Sequence, residues 1–311
     1  MEVVRYSSCK EEEWNLFVDS SKNGSFLLNR KYMDYHSERF RDHSLLVYEK
    51  GYLVCVFPAN EEGKTIWTHH GLTYGGLILS EGATTPQTIN VLNAINNHYS
   101  ESGFEKIIYK AIPWIYHKIP SEEDLYALFK CTDAKLVGCN ISSSIDMSNK
   151  PRFKELRRRG VKKAIKNGVT VRLSEVYEEF WNVLTETLKV AHNVRPVHSL
   201  DEIKLLASRF PDKIKLYVAY KDEKIIAGTL IYEVGNVVHS QYIAANEEGK
   251  HIGALDLLFD TLINQTYTNR KYFDFGVSTE NNGHYLNESL IFQKEQFGGH
   301  GVVYNIYEYS L

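Results

Sequence analysis

The second half of the sequence places acid and base side chains at the ends of predicted strands. His239 and Tyr242 lie on a strand predicted over residues 237–244, and Glu280 follows a strand predicted over residues 272–275. A side chain at such a position can take or give a proton when a substrate comes within hydrogen-bond reach. These three residues are the acid/base candidates, although a lone histidine on a strand is more often part of the core.

Polar residues also cluster just beyond the strand that ends near residue 275. Ser278 and Asn281 lie there, and ligands in open α/β sheets bind outside the carboxyl ends of the strands. In the first half, Tyr74 is one of several aromatic residues that suit a wall for a sugar or peptide, as they also suit a core. The sequence therefore predicts substrate contacts from all three residues, with a capped loop as the alternative for the first two.

A stretch with two glycines joins the strand at 237–244 to an amphipathic helix predicted to begin near residue 253. Glycines permit tight backbone geometry, and free N–H groups at a helix start, together with the helix dipole, suit a diphosphate. A plain turn is the alternative interpretation. The residues of this predicted donor loop are Gly249, Lys250, His251, Ile252, Gly253 and Ala254.

The composition of the 311 residues is that of an ordinary globular protein, with 43% hydrophobic and 24% charged residues. We expect no integral membrane segment, since no apolar run is long enough, and the absence of a signal-peptide pattern predicts a cytoplasmic protein. The four cysteines form no CxxC pair, so no metal site is predicted. The net charge of −3 gives no overall attraction to nucleic acid, and no DNA partner is expected.

An internal repeat divides the sequence into two α/β halves. The segment Asp42–Tyr48 resembles Asp212–Val218 in pattern at an offset of 212 − 42 = 170 residues, and His69 falls opposite His239 at the same offset. Each half reads as a helical lead-in, a meander of strands, a helix and a further strand. The helix of the first half is predicted over residues 85–103.

A basic segment separates the two halves. Eight of the fifteen residues from Arg152 to Lys166 are Lys or Arg, and Asn167-Gly168 is a natural end for a connecting helix. Such a run is either a solvated face or a site for the phosphates of RNA or of a nucleotide sugar. The predicted organisation is an N-terminal domain with a degenerate donor site on the acceptor side at 1–148, a connecting helix at 149–168 and a donor-binding domain at 169–311.

The order of these features resembles the GNAT superfamily and, within it, the tandem-GNAT FemABX-like aminoacyltransferases and acetyltransferases. The glycine stretch resembles the acetyl-CoA diphosphate site, and the motif Phe273–Gly276 is followed by a K-x-x-FGG ending that starts at Lys294. The resemblance implies two tandem GNAT-like (acyl-CoA N-acyltransferase) domains, each a mixed central sheet flanked by helices. It also implies Lys294 at the reacting centre, stabilising a phosphate or an oxyanion, and Arg195 as a clamp on the substrate.

For function, the resemblance implies transfer of an acyl group, most simply acetyl, from acyl-CoA to an amine of a cell-envelope or polysaccharide precursor such as an amino sugar. Backbone N–H groups of residues 241–243 would hold the carbonyl oxygen during transfer. Aminoacyl-tRNA, bound through the basic segment, is the alternative donor, and a non-catalytic scaffold that binds a ligand or partner is a further alternative. The expected acceptor is a small molecule or a nucleotide-linked sugar, and the sequence leaves the oligomeric state open.

Overall fold

The chain folds into two compact units that interleave along the sequence. The computed structural model describes residues 1–192 and 194–311. The first unit comprises residues 1–140, 279–285 and 303–311, and the second comprises residues 141–278 and 286–302. These units differ from the predicted segments, because the basic segment belongs to the second unit and the end of the sequence belongs to the first.

The first 146 residues carry nine strands and four α-helices. The strands are β1 Glu2–Arg5, β2 Arg41–Asp42, β3 Leu45–Glu49, β4 Tyr52–Phe57, β5 Asn60–Glu62, β6 Thr65–Trp67, β7 Ile78–Leu79, β8 Lys106–Lys110 and β9 Lys135–Asp146. The helices are α1 Glu11–Ser20, α2 Arg30–Met33, α3 Thr85–Glu101 and α4 Glu123–Cys131. The helix predicted over residues 85–103 is confirmed as α3.

The later part of the chain carries eight further strands and six further α-helices among its described residues. The strands are β10 Thr170–Ser174, β11 Ile214–Lys221, β12 Lys224–Val234, β13 Val237–Ala245, β14 Tyr272–Val277, β15 Thr279–Glu280, β16 Tyr285–Leu286 and β17 His300–Ser310. The helices are α5 Glu155–Lys166, α6 Tyr177–His192, α7 Leu200–Arg209, α8 Glu247–Ile252, α9 Ala254–Thr261 and α10 Glu288–Glu295.

The sheet of the second unit has the strand order β10-β11-β12-β13-β14-β9. All neighbouring pairs are antiparallel except β13 and β14, which run parallel. Strand β12 is buried along nearly its whole length, as expected for a central strand covered on both faces. Helix α9 buries Leu258 and Phe259 in one hydrophobic cluster with Ile231 and Phe273 of the sheet.

The first unit contains one sheet of order β1-β3-β4-β7 and a second set of strands in the order β17-β8-β6-β5-β2. Strand β8 pairs antiparallel with β17 and parallel with β6. Helix α3 begins at the N-cap Thr84, whose side chain accepts a hydrogen bond from the Gln87 N–H, and it buries Leu92, Ile95 and Tyr99. Each unit is therefore an α/β structure with its own mixed sheet and core.

Candidate active site

The parallel strands β13 and β14 separate part-way along their length. Their pairing runs only from Val237 opposite Tyr272 to His239 opposite Asp274. Beyond this point β13 continues along β12, with a β-bulge at Gln241, while β14 stays with β9. Among the described residues, the backbone of β13 after His239 thus has no strand partner on the β14 side, and an opening forms in the sheet.

A hydrogen-bonded chain of side chains lies where this opening begins. His239 Nδ1 is 2.7 Å from Asp274 Oδ2, and Ser142 Oγ donates to Asp274 Oδ1 at 2.5 Å. The Asp274 side chain is fully buried, whereas His239 is half-buried. An ionised carboxylate can only accept, so Nδ1 carries the proton and the lone pair of the imidazole lies on Nε2. This arrangement is that of a general base oriented by a carboxylate.

The backbone at Gly276 makes room for the imidazole. Gly276 has φ +75°, and a Cβ built there would lie 3.4 Å from His239 Cε1. A residue with a side chain would therefore be strained in this left-handed conformation, and its Cβ would be in van der Waals contact with the ring.

Lys294 stabilises the turn that contains Gly276. Its side chain is 4% exposed, and Nζ donates to the carbonyl oxygens of Gly276 and Val277, at 2.8 Å each. Burial lowers the pKa of Lys294 to about 8, and the charge of Asp274 opposes that shift. With two carbonyls as partners, the amine holds the turn that follows β14, and its predicted place at the reacting centre stays a prediction.

Tyr242 lies on β13 beyond the bulge. Its hydroxyl accepts from the His198 N–H at 3.2 Å and lies 2.7 Å from His198 Nδ1. Burial raises the pKa of Tyr242 to about 12, so at neutral pH this residue is a phenol that can donate but is a poor base. Arg195 is exposed on the segment that precedes His198, and its predicted role as a clamp stays a prediction.

The structure places the other predicted substrate residues in contrasting environments. Ser278 is buried, and its hydroxyl has no hydrogen-bond partner among the described residues. Glu280 and Asn281 are exposed and belong to the first unit. Tyr74, in the same unit, is only 2% exposed, with its hydroxyl 3.3 Å from Ser25 Oγ and its ring against Tyr116. Tyr74 therefore lies in a core and does not form the predicted wall.

The predicted donor loop is a helix rather than an open turn. Residues 247–252 form α8, and Gly253 is a left-handed cap with φ +82° between α8 and α9. The N–H groups of Gly249, Lys250 and Gly253 already donate within this segment. The first turn of α8 carries Glu247 and Glu248, whose charges oppose a phosphate. The stretch from Gly249 to Ala254 therefore does not fit a diphosphate, because three of its N–H groups already have acceptors and the helix start is acidic.

Helix α5 packs directly on this segment. A Cβ at Gly253 would lie 2.7 Å from the carbonyl oxygen of Gly160, and Lys163 Nζ donates to the His251 carbonyl at 2.6 Å. Arg157 pairs with the buried Asp256 of α9 at 2.7 Å. The opposite side of α5 is cationic and faces solvent. The exposed cations of that side are Arg159, Lys162 and Lys166.

In residues 1–192 and 194–311, no group of three or more His, Cys, Asp or Glu side chains is arranged to hold a metal ion. No helix within the same described ranges has both the length and the apolar character needed to span a membrane.

The family comparison covers the region that contains the opening. Residues 152–285 match the model of the acetyltransferase (GNAT) domain. Over this segment the chain is similar to GNAT domains. The segment carries β13, β14 and the pair His239–Asp274, so the opening lies inside the matched region. The match supports an enzyme of the N-acyltransferase class.

Solved structures extend the fold comparison to the whole chain. The crystal structure of FemX superposes with a TM-score of 0.71 at 12% identity, covering 100% of this chain and 98% of that one. The structure of L-PGS from Bacillus licheniformis gives 0.62 at 13% identity, with coverages of 96% and 91%. A tandem GNAT protein from the clavulanic acid biosynthesis pathway gives 0.53 at 11% identity, with coverages of 99% and 98%. No curated protein sequence matches the chain.

These similarities confirm the fold class that the sequence predicts. The architecture is that of tandem GNAT-like domains with mixed sheets flanked by helices, the resemblance to GNAT domains is confirmed, and the fold is shared with FemX. At such low identity the superpositions establish the fold and leave the donor and acceptor to other arguments.

Two residues of the hydrogen-bonded chain were not predicted from the sequence. Asp274 lies between Phe273 and Phe275 in a buried strand, and Ser142 lies on β9, far away in sequence. A carboxylate inside an apolar strand was the available signal, because a buried charge requires a partner. Its partner His239 could be identified only from the parallel register of β13 and β14.

Proposed function

We propose that the protein transfers an acyl group to an amine at the opening between β13 and β14, with His239 as the general base. The observation that carries this proposal is the His239–Asp274 hydrogen bond of 2.7 Å at the last paired position of the two strands. The base, its orienting carboxylate and unpaired strand backbone then lie together inside a GNAT domain. These are the groups that acyl transfer to an amine requires.

The proposed chemistry uses residues of this chain in three ways. Nε2 of His239 removes a proton from the acceptor amine as its nitrogen attacks the acyl carbonyl and the C–N bond forms. Asp274 stabilises the imidazolium that results, and Ser142 holds the carboxylate in place. Backbone N–H groups of β13 beyond the bulge stabilise the oxyanion until the bond to the leaving group breaks, and the leaving group takes the proton that the His239 imidazolium carries on Nε2.

For the donor we propose acyl-CoA, most simply acetyl-CoA, on the strength of the GNAT family match. The acceptor we propose is an amine of a cell-envelope or polysaccharide precursor, such as an amino sugar or a nucleotide-linked sugar. The reaction would take place in the cytoplasm, where acyl-CoA is made. Because the stretch from Gly249 to Ala254 does not fit a diphosphate, we assign no step to coenzyme A there.

A second donor, aminoacyl-tRNA, is favoured by a specific observation. The solvent-facing side of α5 presents Arg159, Lys162 and Lys166 at intervals of three and four residues, on one face of the helix. Such a cationic face suits an RNA backbone, and each phosphate contact adds to the salt dependence of binding. The first turn of α8 is acidic, and this is consistent with aminoacyl-tRNA, because that donor does not need to place a diphosphate at α8.

One experiment with two variants tests the chemistry and the donor together. The protein is incubated with glucosamine and either acetyl-CoA or aminoacyl-tRNA, and acylated amine is detected by mass spectrometry. His239→Gln is expected to reduce the rate by about 10²- to 10⁴-fold with whichever donor is used. The triple variant Arg159→Ala/Lys162→Ala/Lys166→Ala should keep its rate with acetyl-CoA, whereas with aminoacyl-tRNA it should lose activity and salt sensitivity.

The outcomes separate the parts of the proposal. A His239→Gln variant as active as the wild-type protein would remove His239 from the chemistry. Turnover with aminoacyl-tRNA alone would replace the proposed donor and leave the base assignment intact. Absence of product with both donors across a panel of primary amines would reject the proposed function.

A further inference from the structure

The first unit has a cleft on one face of its strands that plays no part in the chemistry above. The cleft has a volume of about 370 Å³. Its floor comes from three neighbouring strands, β6, β8 and β17, through residues that share one face of the sheet. Along each strand these residues alternate with period two, and they are Thr65, Trp67, Lys106, Ile108, Ile306 and Glu308. We call this feature the sheet cleft.

An indole forms the aromatic part of the sheet cleft. Trp67 is half-buried, and its ring stacks on His70 with centroids 4.2 Å apart and planes 18° apart. The indole Nε1 is shielded from solvent and has no hydrogen-bond acceptor among the described residues. Trp67 neighbours Ile108 in the parallel register, so a flat apolar surface continues from one strand to the next.

Polar groups around this surface are mainly acidic. Glu308 pairs with Lys106 at 3.2 Å, and Glu62 lies 3.5 Å from His70. The lining carries two carboxylates, Glu62 and Glu308, and one ammonium group, Lys106, which gives a net charge of −1. The rim also includes the amide of Asn282, whose backbone is held in the left-handed region at φ 53°. The lining therefore offers acceptors and a negative charge beside an aromatic surface.

We propose that the sheet cleft binds an amino-sugar unit of the acceptor. The apolar face of a pyranose ring packs on Trp67, its hydroxyls meet the amide and carboxylate groups at the rim, and its ammonium group lies at Glu62. The charge of the lining selects this ligand over a nucleotide, since phosphates would meet Glu62 and Glu308. The identity of the ligand as part of the acceptor rests on the proposed function, whereas binding itself does not.

Binding is tested without any acyl donor. The probes are a glucosamine tetramer and a glucose tetramer of the same linkage, titrated into the full-length protein and followed by saturation-transfer NMR and calorimetry. The glucosamine tetramer should bind saturably, and more tightly than the glucose tetramer. Trp67→Leu should weaken binding of both at least tenfold, because both lose the aromatic surface. Trp114→Leu, which changes an indole 49% exposed elsewhere in the same unit, is the matched control and should leave binding unchanged.

A second variant keeps the test valid if Trp67→Leu fails to fold, as judged by thermal unfolding. Glu62→Gln changes only an exposed charge and should remove the preference for the glucosamine tetramer while retaining binding of the glucose tetramer. No saturable binding of either tetramer, or equal affinities in the wild-type protein and Trp67→Leu, would overturn the proposal. Binding that depends on Trp67 in a protein that acylates no amine would refute the proposed function alone. Acyl transfer to the tetramer that is insensitive to Trp67 would refute the inference alone.

Discussion

Replacing Asp274 by Asn is the sharpest test of the proposed base. The two side chains have the same shape, but a carboxamide has one acceptor oxygen and one donor nitrogen in place of two acceptors. In the protein as it stands, both carboxylate oxygens are in use, one with His239 and one with Ser142. The asparagine must therefore present its NH₂ group to one of these two neighbours.

Each orientation of the carboxamide lowers the rate for a different reason. If the amide oxygen stays with His239, the tautomer is kept and only the charge that stabilises the imidazolium is lost. A hydrogen bond to a charged group contributes about 1.5–3 kcal/mol, which corresponds to about 10- to 150-fold in rate. If the NH₂ group turns to His239 instead, Nδ1 must accept and the proton moves to Nε2. The base is then blocked, and a loss of about 10⁴-fold is expected.

The assay measures kcat for amine acylation together with long-range ¹H–¹⁵N spectra that identify the protonated nitrogen of His239. Asp201→Asn, an exposed carboxylate in the first turn of α7, is the matched control and should retain full activity. Asp274→Asn should reduce kcat by tenfold or more. If the reduction is about 10- to 150-fold, the proton of His239 should remain on Nδ1; if it is about 10⁴-fold, the proton should be on Nε2. A rate within about threefold of the wild-type rate would refute the reasoning, because a base oriented by this carboxylate cannot be insensitive to its removal.

Two further predictions concern stability, measured by urea unfolding. Gly253→Ala should lower the free energy of unfolding by about 2–4 kcal/mol, because the new Cβ would lie 2.7 Å from the Gly160 carbonyl oxygen and the residue has a left-handed φ. The control Gly168→Ala has a similar φ of +72° with open space around it, so it should lower the free energy of unfolding by only about 1–2 kcal/mol. Equal costs for the two alanines would show that α5 does not pack on Gly253. Burial lowers the pKa of Lys294 to about 8 from 10.5, so between these values the unfolded chain binds more protons and stability rises with pH. Between pH 8 and 10.5 the free energy of unfolding of the wild-type protein should therefore rise by up to about 3 kcal/mol relative to that of Lys294→Met. A difference between the two proteins that does not change with pH would contradict the burial of the amine.

Secondary-structure elements whose start and end signals lie within a few residues of one another along the chain could be predicted from the sequence. Helix α3 has Pro86 at its start and Gly103 just after its end, and both are effective within a few residues of the chain. The segment 249–254 was predicted as a loop that precedes a helix starting near residue 253, whereas residues 247–252 already form α8, because its glycines suit a loop as well as a helix. The decisive interactions, the Asn246 cap and the approach of Gly160, depend on a neighbouring side chain and on tertiary packing.

The candidate site was predictable only in part for the same reason. His239 was identified from its position near a strand end, but Asp274 and Ser142 complete the hydrogen-bonded chain from two other strands. The pairing of those strands is a long-range property that a single sequence does not encode locally. Tyr74 was misjudged because an aromatic residue suits a binding wall and a core equally well, and only its 2% exposure separates the two.

Strand β17 is synthesised last, although residues of it pair with β8 in the unit that is synthesised first. Residues 1–140 of the first unit are made early, but β8 receives its partner only when residues 303–311 emerge. At about 5–20 residues per second, synthesis of the 311 − 140 = 171 residues that follow residue 140 leaves that strand edge uncovered for roughly 10–30 s. An uncovered edge is a template for pairing with other chains. Nascent protein should therefore depend on chaperones more than two sequential domains would, and a cut just before residue 303 should compromise the unit that is synthesised first.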